Sequence, residues 1–181
     1  MKQKIALSGI SVIGCLLCGI LLCAAQTSLL PMFLNDSFFV LDLLLCLTIA
    51  LGTCGGPAFG ALFGIYAGIL ADCTGGFGIC ILPLFYMLCG YFAFVAADMI
   101  PYKKFVVYLA TGAICVLLRA LVAMIYVMLS SGSVPLLDVL RYVCIPIILG
   151  TVLVLPAAYP LGLLLTLPVR KIKHNSIDKI M

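Results

Sequence analysis

The sequence predicts an all-α membrane protein, a bundle of six transmembrane helices with the N- and C-termini in the cytoplasm. Composition, run length and charge placement lead there. Of 181 residues, 66% are hydrophobic and 9% are charged, whereas roughly a quarter of a soluble domain is charged. There is no Glu, no Trp and a single His, so the chain cannot cover a water-soluble globule with polar side chains. Its apolar runs approach the roughly 20 residues needed to cross a hydrocarbon core about 30 Å thick. The net charge of +4 sits in short terminal or loop clusters rather than on a basic face, which argues against nucleic acid and for orientation in a membrane.

Six spans in one integral membrane domain follow from the breaks. The first, about 5–25, stands behind Lys2 and Lys4 and is too long for a cleaved signal h-region, so it is expected to be retained. The polar stretch QTSLLPMFLNDS precedes a short second span, about 39–54. Gly55, Gly56 and Pro57 form a turn, with Pro57 suited to the first turn of the third span, about 57–72. The glycine-rich turn Cys73-Thr74-Gly75-Gly76-Phe77-Gly78 leads into the fourth, about 78–97. Span five runs over about 105–129, and span six over about 139–167. Pro146, Pro156 and Pro160 should kink or break that last span. Residues 170–181 are read as a basic cytoplasmic tail. This topology puts Lys2, Lys4, Lys103, Lys104, Arg170, Lys171, Lys173 and Lys179 inside and leaves the outer loops without Lys or Arg.

Gly52, Gly56, Gly60, Gly64 and Gly68 recur every fourth residue. Residues four apart share a helix face, so these glycines should form a groove for close helix packing, within the chain or against a partner protein. Ser11, Cys15, Gly19 and Cys23 form a weaker small-residue stripe on span one. Charges at membrane depth usually find partners. Arg119 is therefore expected to pair with Asp72, with Asp42 the second choice; snorkelling to the head groups is the competing reading. The ten cysteines lie almost all in apolar runs, where a thiol acts as a small hydrophobe. Cys15 and Cys18 lack the further ligands of a metal site, so no metal or cofactor is expected. No nucleophile, base and acid come together in sequence, so catalysis is not expected.

Residues 26–95 resemble the rod shape-determining protein MreD family, through QTSLLPMF, VLDLLLCLTIALG, GALFGIYAGILADCTGGFG and LPLFYMLCGYFAF in that order and spacing. The turn TCGGP departs from the family in carrying no charge. The resemblance implies a non-enzymatic scaffold in the bacterial cytoplasmic membrane, surrounded by lipid and held with a bitopic MreC-like protein, RodA and a transpeptidase in the cell-elongation complex. It also implies that Asp42, Asp72, Gly75, Gly76 and Gly78 organise the outer ends of spans two to four. The alternative is a substrate-binding subunit of an energy-coupling-factor type transporter, which would need a polar cavity near Asp42, Asp72 and Arg119.

Overall fold

A helix of 13 residues with no outward face lies at the centre of the structure, a computed structural model that describes residues 9–29, 42–74, 81–131 and 135–177. This helix, α2 (Leu43–Gly55), is buried at every position from Leu44 to Cys54. It is apolar all round, the pattern of a helix that must be enclosed. Its two threonines turn their hydroxyls onto its own carbonyls, Thr48 to Leu44 O at 2.7 Å and Thr53 to Ala50 O at 2.9 Å.

The enclosing helices are α1 (Gly9–Ala24), α3 (Pro57–Cys73), α4 (Ile81–Met99), α5 (Lys104–Ser131) and a long final rod comprising α6 (Leu136–Val139), a π-helical turn over Leu140–Cys144 and α7 (Ile145–Ile177). All of them except short α6 pack against α2, with α3, α4 and α7 covering most of it. No strand occurs among the described residues.

Side-chain and backbone neighbours give the helix directions. Gly60 lies against Gly90, Gly64 against Tyr86 and Gly68 against Pro83, so α3 and α4 are antiparallel. Gly19 meets Tyr66, and Cys23 meets Thr74, so α1 and α3 run the same way. Cys46 and Gly55 of α2 meet Thr151 and Thr166 of α7, which makes that pair parallel. Tyr108 bonds Leu155 O while Cys144 bonds Ala120 O, so α5 opposes the final rod. Successive long helices thus alternate in direction through the bundle.

Ile81–Met99, Lys104–Ser130 and Leu136–Thr166 are long and apolar enough to cross a membrane. Their outer faces carry Leu84, Leu88 and Phe92 on α4, Ile114, Leu117 and Leu121 on α5, and Leu153 and Leu164 on α7, all exposed. Such a surface suits a bilayer, since contiguous apolar area of this kind is unfavourable in water. The apolar helices Val12–Ser28, Leu43–Gly55 and Pro57–Cys73 are shorter. At 1.5 Å per residue, α2 reaches only about 20 Å.

Three boundaries differ from those expected of the sequence. The first helix does not stop at Ala25: a π-helical turn carries it through Gln26 to Leu29. Thr27 and Ser28 sustain the turn by donating to Cys23 O and Ala24 O. The second helix begins at Leu43 rather than near residue 39, because the Asp42 side chain caps it by accepting from Leu45 N at 3.2 Å. The final rod is neither split by its prolines nor ended before residue 170, since α7 continues to Ile177 and takes in the first part of the supposed tail. Widening comes before the first of those prolines, where Ile145 N–H reaches Leu140 O, five residues back. Further along, neighbouring helices clamp the rod: Tyr108 donates to Leu155 O at 2.6 Å and Cys46 to Thr151 O at 3.7 Å.

The α3–α4 seam is tight enough to exclude a methyl group. A Cβ at Gly64 would lie 2.5 Å from Tyr86 O, and one at Gly60 would lie 2.8 Å from Gly90 O. Gly64→Ala should therefore destabilise the protein by about 1–3 kcal/mol or more, and Gly64→Leu should prevent folding. Gly14→Ala, whose Cβ would meet only Leu165 at 3.5 Å, should leave stability unchanged or slightly raised. Thermal unfolding in detergent, followed by circular dichroism, checks all three.

Candidate functional site

The polar chemistry in the described interior converges on one carboxylate. Asp42 stands at the N-terminus of α2 because its oxygen caps Leu45 N–H, and this end of α2 is held between α4 and α5. Tyr86, one and a half turns into α4, donates its hydroxyl to Asp42 Oδ2 at 2.5 Å. Arg119, midway along α5, brings Nε within 3.4 Å of the same oxygen. All three are withdrawn from solvent, with Asp42 6% and Tyr86 1% exposed and the Arg119 side chain 14% exposed.

The ion pair therefore joins Arg119 to Asp42, not to Asp72 as first choice of the sequence had it. The reason lies in the cap. Anchoring α2 requires Asp42 to point inward at the level where α4 and α5 meet, and Arg119 faces that point. Asp72 lies near the end of α3, and neither of its buried carboxylate oxygens has a hydrogen-bond partner. A buried pair is a weak source of net stability because both ions lose water, but removal of one partner leaves an uncompensated charge. Oδ1 serves the cap and Oδ2 the Tyr86 and Arg119 contacts, so one carboxylate ties three helices together.

The glycines divide by role. Gly60, Gly64 and Gly68 carry the contact with α4, and Gly52 joins it from α2, so that three backbones meet at Gly52, Gly60 and Gly90. Gly56 takes no part in that contact: a Cβ there would touch nothing within 4 Å, and its φ of 119° makes it the hinge between α2 and α3. That left-handed backbone favours glycine. Gly75, Gly76 and Gly78, expected to organise the outer turn, lie outside the described residues. The stripe on α1 meets α3 on a different face: a Cβ at Gly19 would lie 2.6 Å from the Tyr66 ring, and Tyr66 donates to Leu16 O at 2.9 Å.

Two tyrosines were not singled out from the sequence. Tyr86 completes the Asp42 knot, and Tyr108 joins α5 to α7 through Leu155 O and to α2 through Cys46 O at 3.4 Å. Their signal was the hydroxyl itself, since a buried tyrosine needs a hydrogen-bond partner. A cleft of about 180 Å³ lies between α1, α2 and α7. Leu22, Leu43, Leu47, Val154, Ala157, Ala158 and Leu161 line it. It does not include the Asp42 knot. Among the described residues no three His, Cys, Asp or Glu side chains gather in a metal-binding arrangement.

Compared with protein-family models, curated proteins and solved structures, the chain matches none.

Removing either member of the knot should be costly, and the two losses should not add. Asp42→Asn and Arg119→Leu should each lower stability by about 3–5 kcal/mol, while the double variant should lose well under their sum. Asp72→Asn should not couple to Arg119→Leu, and alone should leave stability unchanged or raised, because it neutralises a buried carboxylate that has no hydrogen-bond partner. A double-mutant cycle of unfolding free energies in detergent checks both statements.

Proposed function

We propose that this chain is a non-enzymatic scaffold of the bacterial cytoplasmic membrane, crossing it six times with both termini inside, and that it serves cell-shape control in the cell-elongation complex. The observation that carries the reading is the closure of the described interior. Glycine seams hold α2, α3 and α4 backbone to backbone, the charges of Asp42 and Arg119 meet each other, and the described cleft is apolar. Such a body acts through its outer surface. The alternating helix directions support six crossings, and eight of the ten Lys and Arg then fall on the cytoplasmic side.

In this reading the partner is a bitopic MreC-like protein, with RodA and a transpeptidase beyond it, as the resemblance of residues 26–95 to the MreD family implies. The exposed apolar faces of α4 and α5 are the surface available to that partner. The substrate-binding transporter subunit is the weaker reading, because Asp42 and Arg119 occupy each other instead of lining a polar chamber.

Affinity capture of the full chain from native membranes, with proteins identified by mass spectrometry, tests the proposal. Co-recovery of a bitopic coiled-coil protein and wall synthases is expected. Co-recovery of an ATPase module in their place would overturn it.

A further inference from the structure

Two of the buried cysteines are placed for chemistry that packing does not require. Three others direct their thiols to oxygen atoms of neighbouring helices, Cys23 to Thr74 Oγ1, Cys46 to Thr151 O and Cys144 to Ala120 O. Cys89 on α4 and Cys115 on α5 have each other, close enough to share a hydrogen bond, and neither is in a disulfide.

The register of the α4–α5 hairpin brings them together. Cys89 stands ten residues before the end of α4 at Met99, and Cys115 eleven residues after the start of α5 at Lys104. Both therefore lie about 16 Å from the connection that joins the two helices. The knot fixes the same register independently, because Tyr86 and Arg119 reach one oxygen of Asp42. From there Cys89 is three residues along α4 and Cys115 four residues back along α5, so the thiols meet one turn nearer the connection than the knot. The pair lies at the edge of the seam rather than at the closed centre of the bundle. Cys89 is 4% and Cys115 5% exposed, whereas Cys46 on α2 is 0% exposed. A small uncharged oxidant dissolved in the bilayer reaches such an edge.

We propose that Cys89 and Cys115 form a redox-sensitive lock, closed by hydrogen peroxide as a disulfide between α4 and α5. One sulfur attacks the peroxide and the O–O bond breaks, giving a sulfenic acid and a first water. The second thiol attacks that sulfur, the S–S bond forms, and the sulfenic oxygen leaves with the remaining thiol proton as a second water. Two electrons pass from the sulfurs to the peroxide, so two thiols and one peroxide become one disulfide and two waters. Burial keeps the first step slow, because attack needs the thiolate; the second step needs no encounter, because the partner thiol is already in contact. The product is uncharged, which suits an apolar interior. It fixes α4 to α5 beside the knot and holds their exposed outer faces in one arrangement. The lock belongs to the bundle itself and stands whether or not the chain serves a cell-elongation complex.

The test uses the full chain in nanodiscs, treated with hydrogen peroxide, its remaining thiols alkylated and its peptides mapped by mass spectrometry. A linked Cys89–Cys115 peptide pair, two hydrogens lighter than its reduced parts and separated by dithiothreitol, is expected. The unfolding temperature should rise by about 5–10 °C on oxidation, the effect of one disulfide in a chain of this size, and fall back on reduction. Cys89→Ala and Cys115→Ala should each remove that rise, while Cys46→Ala should keep it; if one of the two fails to fold, the other carries the test. Cys89 and Cys115 recovered as unlinked thiols once the exposed Cys73 is fully oxidised, or a rise that survives Cys89→Ala or Cys115→Ala, overturns the lock.

Discussion

Everything in this bundle rests on how closely three backbones approach one another. In lipid, helices gain little from hiding apolar surface, because an acyl chain is as apolar as a leucine. Contact must come instead from dispersion over closely fitted surfaces, which side chains larger than hydrogen prevent at the tightest points. The meeting of Gly52, Gly60 and Gly90 is such a point, and Gly64 and Gly68 extend it along α4. Because this seam brings α3 and α4 in closely on one side, the 13-residue α2 can be enclosed completely despite being too short to reach across a bilayer alone.

The polar knot depends on the same arrangement. A short helix with its N-terminus inside an apolar body has backbone N–H groups that water cannot reach, and each must be paired. Asp42 pairs one, and its charge then requires a cation, which Arg119 supplies with Tyr86 beside it. The knot is thus a consequence of putting a helix end inside an apolar body, and it fastens α2 to α4 and α5 at the end away from the Gly56 turn. Glycine contact and carboxylate cap hold opposite ends of one helix.

Much of this was legible in the sequence, and the exceptions have physical causes. The helical segments followed from run length and polar breaks, and the four-residue glycine period marked a close contact before any coordinate did. Periodicity could not say that Gly56 serves a turn, because a hinge glycine in phase with the others looks the same as a packing glycine. Nor could it rank Asp42 above Asp72 as the partner of Arg119. Run ends fix height along a helix, whereas the deciding fact is rotational: the cap turns Asp42 inward. The prolines misled because their disruptive effect in an isolated helix is local, while the structure accommodates Pro146 through the preceding π turn and holds the rod from its sides with Tyr108 and Cys46. Thr27 and Ser28 similarly carried α1 beyond a polar break by bonding to the preceding turn.

The outer surface poses a different problem, since exposed Leu, Ile and Phe are equally at home against lipid and against another membrane protein. Apolar area therefore identifies neither. Buried polar atoms without hydrogen-bond partners are more informative, because neither a hydrocarbon chain nor an aliphatic side chain can compensate them. Asp72 on α3 and Gln26 beyond α1 are two such residues, and since those helices are parallel, both lie toward the same end of the bundle. Such atoms are covered by the bundle itself, so they mark places where its packing leaves a polar contact unmade, whereas the exposed apolar faces are satisfied by any apolar neighbour.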